Sequence, residues 1–139
     1  MNLSPAQLPK ANKSSQASLD TYNQNIGRIG ESVATTYLKK NGYTILKRNF
    51  KARYGELDIV CSKDDTLIFV EVKTRMDESY GLPEESVTPR KLREVVKTAQ
   101  YFQALNPNLP DSLRIDVIGI ILFDDNTPKY FNHIENVTL

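Results

Sequence analysis

Glu71 and Lys73 stand two residues apart in "TLIFVEVKT", a segment otherwise rich in Val, Ile and Phe. Successive side chains of a strand point to opposite faces, so this acid and this amine share a face. The preceding segment, "ELDIVCS", carries Glu56 and Asp58, and the intervening "KDDT" offers Asp64-Asp65 as a two-residue turn flanked by Lys63 and Thr66. That register places Asp58 opposite Glu71 and Glu56 opposite Lys73, with Cβ atoms about 4.5–5.5 Å apart in each pair. On the other face, Leu57, Ile59 and Cys61 meet Ile68, Val70 and Val72 as an apolar layer fit to receive a helix.

Directly opposed carboxylates repel, and stability alone gives no reason for the Asp58–Glu71 pair. A divalent cation reverses the sign, because Mg²⁺ is a hard ion held by carboxylate oxygen, commonly one or two carboxylates plus a substrate phosphate. Such an ion polarises a phosphoryl oxygen and lowers the pKa of bound water, while the Lys73 ammonium is placed to stabilise developing charge or orient the water. The alternative is an ordinary solvated Glu-x-Lys pair. A one-residue slip of register would also break the constellation by turning one strand's charges to the other face.

At 139 residues the chain reads as one domain, long enough to bury a core. Its 18 basic and 17 acidic residues leave a formal charge of +1, which argues neither for nor against a polyanionic partner. The distribution is uneven: seven Lys and Arg side chains between Arg28 and Arg53 face a lone Glu31, which suits phosphates or a solvated basic face. The single cysteine, Cys61, excludes an intrachain disulfide and fits the reducing cytoplasm. No apolar run approaches the ~20 residues of a membrane span, and Met1 to Asp20 lacks a signal-peptide centre, so no membrane partner is expected.

Residues 1–24, polar with isolated Leu, read as a flexible N-terminal arm ahead of a single domain over 25–139. From Asn25 to Asn41, the residues Ile26, Ile29, Val33, Ala34, Tyr37 and Leu38 recur at helical spacing, and Gly42 supplies a stop. Glu31 falls at the margin of that stripe. Gly30, inside it, costs a helix about 1 kcal/mol relative to alanine, which implies a close neighbour. Residues 43–50, 56–62 and 66–74 read as a three-stranded meander. A second helix is expected from Pro89 to Leu105, capped by Thr88, with the stripe Leu92, Val95, Val96, Ala99 and Phe102. A buried strand over 113–123 follows, parallel to 66–74 because a helical crossover separates them, and "KYFNHIEN" pairs with it across "DDNTP". The expected architecture is α/β, in the order α-β-β-β-α-β-β, a mixed sheet with its faces covered by helices.

The stretches "GRIGESVATTYLKKNGYTILKRNF", "GELDIV", "FVEVKTR" and "RIDVI" together resemble the YraN-type family of small bacterial endonuclease-like proteins. The pattern of Asp58 followed by Glu71-x-Lys73 resembles the catalytic signature of the PD-(D/E)xK nuclease superfamily. The similarity runs from about Gly27 to the C-terminus. It implies a restriction-endonuclease-like fold related to Holliday-junction resolvases, and divalent-metal-dependent hydrolysis of phosphodiester bonds, with DNA favoured over RNA. Carried over residue by residue, Glu31 matches the helical acid that helps to bind metal, Asp58 the superfamily aspartate, and Glu71 and Lys73 the acid and lysine of the third strand. The resemblance also implies the Val72 carbonyl as a ligand, Mg²⁺ or Mn²⁺ as the ion and, by analogy with junction resolvases, a homodimer. Leu57 stands before Asp58 where the superfamily name has proline. The rival function is a nucleic-acid-binding module of the same fold with little or no turnover.

Arg28 and Arg75 flank the acids in sequence and are candidate phosphate contacts, as are Lys91, Arg93 and Lys97 on the second helix; an ordinary solvated surface is the alternative for each. Arg114 and Asp116 share one face of a buried strand, which suggests a structural ion pair. His133, the one histidine, reads as a surface residue. Cys61 alternates into the apolar layer and reads as core.

Overall fold

The computed structural model describes residues 13–137. Helix α1 spans Lys13–Lys40, strands β1 (Thr44–Ala52), β2 (Gly55–Lys63) and β3 (Thr66–Arg75) follow, helix α2 spans Pro89–Leu105, and strands β4 (Leu113–Leu122) and β5 (Pro128–Ile134) complete the chain. This is the expected order. The strands form one sheet, β1-β2-β3-β4-β5, in which only β3 and β4 run parallel.

The expected N-terminal arm divides. Residues 1–12 lie outside the described residues, whereas 13–24 are helical and not a flexible arm. No proline or glycine interrupts the chain between Lys10 and Ile26, and the turns propagate from the packed part of α1 with local support from a Gln16–Asp20 side-chain bond of 2.9 Å. Composition described the solvation of this segment correctly, because residues 16–25 are exposed. It does not forbid helix in a segment continuous with one already nucleated.

The sheet separates two cores. On one face α1 lays Ile26, Ala34 and Leu38 against Ile59, Cys61, Ile68, Val70, Val72, Ile118 and Ile120. On the other, α2 lays Leu92, Val95, Ala99 and Phe102 against Val60, Leu67, Phe69, Ile115 and Val117. β3 and β4 are therefore buried on both faces, which explains their nearly unbroken apolar runs. Thr88 caps α2 as expected, its hydroxyl accepting from the Lys91 N–H at 3.1 Å. Cys61 is fully buried, and burial, then the charge of Asp116, pushes its thiol up to about 12, so it is a core residue.

Gly30 meets its expected neighbour: a Cβ there would fall inside the Thr74 side chain of β3. Gly30→Ala is expected to destabilise the protein by about 2 kcal/mol or more, since neither backbone can retreat without moving a whole element. Urea denaturation checks this, and an unchanged midpoint would mean that α1 does not approach β3 this closely.

The C-terminal strand is held by a buried carboxylate. Asp116 is 0% exposed and accepts from Arg114 Nε at 2.8 Å and Nη2 at 3.0 Å, from the Asn136 N–H at 3.0 Å, and shares a 2.8 Å bond with His133 Nε2. Burial alone would raise its pKa, yet the bonds from His133, Arg114 and Asn136 hold it below the usual aspartate range. The expected Arg114–Asp116 ion pair is present. His133 departs from expectation: its side chain is 6% exposed, clamped between Asp116 and the Tyr37 hydroxyl, because β5, paired with β4, turns His133 toward Tyr37 of α1. Asp116→Asn should cost about 3 kcal/mol by leaving Arg114 half-paired in the interior. A variant unfolding at the same denaturant concentration as the parent would show that the clamp carries no stability.

Candidate active site

The β2–β3 hairpin follows the expected register from Lys63↔Thr66 to Ile59↔Val70, with Asp64 and Asp65 in its turn at φ of 50° and 59°. There the ladder stops. Asp58 and Glu71 are not a backbone pair; the Asp58 carboxylate instead accepts the Val72 N–H, at 2.9 Å. Glu56 does not face Lys73 but pairs with Lys51 of β1, and is exposed. Leu57 does not continue the layer of Ile59 and Cys61 but joins the α2 core.

The cause lies in β1. Arg48, the partner of Ile59, reaches toward α1, its guanidinium 3.4 Å from Ser32 Oγ and 4.0 Å from Glu31 Oε2. Phe50, the partner of Leu57, packs instead on Phe102 of α2, ring centroids 5.1 Å apart. Between them Asn49 adopts φ +53°, a left-handed residue that turns the strand over by one face. β1 and β2 turn together, and the tip of their hairpin leaves β3 and seats on α2. The sheet opens beside Glu71, Val72 and Lys73. An Asn inside a strand pattern was the available sequence signal, because Asn tolerates this conformation.

Three acids arrive at the opening from three directions. Glu71 points to the α2 side and is 6% exposed. Burial, followed by the charge of Asp58, raises its pKa to about 8, with Lys91 and Lys73 opposing the rise. Asp58 is also raised by burial and is drawn back by the Val72 N–H and by Lys91. The interaction between the two carboxyl groups favours the ionised form of Asp58 and the protonated form of Glu71. Glu31 comes from α1, raised by its own burial and by Asp58, with the Asn49 side chain and Arg48 opposing. Its Oε2 is buried without a hydrogen-bond partner. Among the described residues no three His, Cys, Asp or Glu side chains converge closely enough to hold one ion; Glu31 faces the charge of Asp58.

The cations sort differently from expectation. Lys73 is exposed at the opening and its charge favours ionised Glu71. Lys91, expected as a phosphate contact, has its Nζ 3.9 Å from Glu71 Oε1 and belongs to the site itself. Arg93 and Lys97 are exposed on α2. Arg28 lines a groove with Phe131 and Pro128, and the cation beside Glu31 is Arg48. Arg75 lies beyond the opening, beside Tyr22, Met76 and Tyr80. Sequence reasoning missed Arg48, Asn49 and Glu84. Glu84, in the connection before α2, is buried over Gly119, the β4 partner of Lys73. Tyr130 and Asn132 hold its Oε2, while Oε1 is buried without a partner. A glycine inside a buried strand was the only hint of such a close approach.

The donor set is oxygen-rich, partly dehydrated and repulsive when ionised, which fits a hard divalent cation held by two carboxylates. Val72 adds to the fit. In a strand the N–H and C=O of one residue face the same edge, and its N–H meets Asp58, so its carbonyl faces the same opening.

Fold and site define a mixed α/β protein that gathers a buried glutamate, a half-buried aspartate and two lysines where a sheet opens between helices. The Uncharacterised protein family UPF0102 matches residues 30–120, and the chain belongs to that family. A UPF0102 protein of Syntrophomonas wolfei is 46% identical over 114 residues, covering 82% of this chain and 97% of the relative. One from Clostridium acetobutylicum is 44% identical over 114 residues, covering 82% and 93%, and one from Pelobacter propionicus 45% over 116 residues, covering 82% of each. The YraN-type resemblance is borne out at the level of the family. No helix among the described residues is long and apolar enough to cross a membrane.

Proposed function

We propose that the chain is a divalent-metal-dependent endonuclease acting on DNA in the cytoplasm, with Asp58, Glu71 and the Val72 carbonyl holding Mg²⁺ or Mn²⁺ and Glu31 completing the site from α1. The observation that carries this reading is the Asp58–Glu71 pair at the sheet opening, Glu71 buried and Asp58 held by the Val72 N–H, with Lys73 and Lys91 beside it. The Val72 N–H and Lys91 offset only part of the cost of placing two carboxylates there, whereas a cation and a phosphate would satisfy both. Bound, the cation would supply Lewis-acid polarisation of the phosphoryl oxygen and a more acidic water.

The chain's own residues do the remainder. Asp58 and Glu71 fix position, and the Asp58 carboxylate is itself oriented by the Val72 N–H. Lys91 neutralises Glu71 from α2 and favours the deprotonated pair. Lys73, exposed at the rim, stabilises charge on the scissile phosphate and orients the attacking water. A second reading, a binding module that recognises nucleic acid without turnover, is favoured by the spacing of the acids, since among the described residues no three of them converge on one ion. Incubating the full chain with duplex, single-stranded and branched DNA in Mg²⁺ or Mn²⁺ separates the two. Metal-dependent cleavage supports the enzyme, and tight binding without cleavage in either metal supports the module. Gel filtration with light scattering tests the homodimer suggested by analogy with junction resolvases.

A further inference from the structure

The turning over of β1 and β2 has a second effect, away from the carboxylates. It carries the hairpin tip, Arg53-Tyr54, against α2, close enough that a Cβ on Gly55 would lie 3.2 Å from Thr98 Oγ1. Tyr54 and Tyr101 are brought together there, 50% and 42% exposed, with ring centroids 6.5 Å apart and an interplanar angle of 69°. Single exposed aromatics are ordinary, but two from different elements presenting rings to solvent at one spot are not. They are also anchored. Tyr101 lies 6.3 Å from Phe50, Phe50 packs edge-on to Phe102, and Phe102 meets Phe69 in the core, so the surface rings are the outer end of a rigid aromatic stack.

The surroundings are cationic. The Arg53 guanidinium stands 6.0 Å from the Tyr54 ring centroid, and Lys97 and Gln100 border the depression of about 500 Å³ beside the two tyrosines. Arg90, Arg93, Lys97 and Tyr101 lie along one ridge of α2 at helical spacing. Lys91, at the Glu71 end of the helix, is about 15 Å from Tyr101 along the axis at 1.5 Å per residue. Rings that can stack, cations beside them and a basic ridge leading back to the carboxylates are the parts of a single-strand binding path.

We infer that Tyr54 and Tyr101 form a stacking station for an unpaired nucleobase, so that the DNA this chain binds carries a single-stranded segment running along α2 past Lys97 toward Glu71 and Lys73. The inference rests on the reading of the site as one that meets DNA, but it requires no cleavage. Duplex bases are already stacked on one another and offer no free face, whereas an extruded or single-stranded base does.

The test measures binding alone, in EDTA, with the full chain. Fluorescence anisotropy with labelled oligo-dT should show the Tyr54→Leu/Tyr101→Leu variant binding about tenfold more weakly than the parent, with a matched duplex little changed. An oligomer of abasic deoxyribose phosphate should bind parent and variant alike. The chain has no tryptophan and seven tyrosines, so stacking on two of them should quench part of its tyrosine emission as oligo-dT, and not the abasic strand, is added to the parent. This second measurement needs no variant. Equal affinity of the parent for oligo-dT and for the abasic strand, or unquenched emission at saturation, overturns the inference. A parent that binds and quenches yet never cleaves in any metal defeats the nuclease alone, and one that cleaves with no preference for bases defeats the stacking station alone.

Discussion

Lys73→Ala should lower metal-dependent DNA cleavage by about 10²–10³-fold while leaving DNA affinity in EDTA within a few-fold of the parent. The magnitude is that of removing one preorganised donor from a developing negative charge. Lys73 has an exposed side chain on β3 whose charge acts on Glu71, so its loss removes no core packing. Lys91 makes the comparison sharper, because it stands against Glu71 on the α2 side. Lys91→Ala should act mainly through the carboxylate, raising the metal concentration needed for half-maximal rate. Rates at saturating and limiting Mn²⁺ distinguish the two. If Lys73→Ala cleaved at the parental rate, the opening would not be the catalytic centre.

The second large effect is on stability, in metal-free buffer. The Glu71 carboxyl titrates at about 8 in the folded protein, against 4.5 for an unstrained glutamate. Between these values the native state holds a proton that the unfolded chain has released, so stability falls as pH rises. The contribution is complete below about pH 4.5 and lost above about pH 8, and at 1.36 kcal/mol per pKa unit the swing is on the order of 5 kcal/mol. Glu71→Gln removes the titrating group and keeps the shape. It should flatten the decline between pH 5 and 9 and leave the variant more stable than the parent at the alkaline end. Added Mg²⁺ should stabilise the parent progressively more as pH rises, since the ion replaces the Glu71 proton, and should leave the variant unmoved. Denaturant titrations across that range decide the matter: parallel profiles for parent and variant would mean that Asp58 and Glu71 do not burden each other.

The element order was legible because each segment carried its own period. Ile26 to Leu38 recur at helical spacing, Leu67 to Val72 form a run that only a doubly buried strand explains, and Thr88-Pro89 announces a helix start. The Asp64-Asp65 turn fixed the hairpin register as far as Ile59 and Val70, because a two-residue turn leaves no choice of pairing. Gly30 even announced its neighbour, though not that the neighbour was Thr74. What failed was extrapolation. The pairs Asp58–Glu71 and Glu56–Lys73 assume that the ladder continues, and one left-handed residue on a third strand, Asn49, ended it.

The sequence by itself determined which chemistry was available: hard oxygen ligands and ammonium groups on adjacent strands, in the order of a known family, with a lone cysteine that could take no part. It also determined the layers, since periodicity is a property of each segment alone. Only the tertiary structure decided which charges meet. It turned the β1–β2 tip onto α2, brought Lys91 to Glu71, set Arg48 beside Glu31, and placed Tyr54 against Tyr101. The physical reason is that side-chain direction follows from backbone alternation only while the alternation holds. A single reversal, stabilised by contacts distant in sequence, redirects every side chain beyond it.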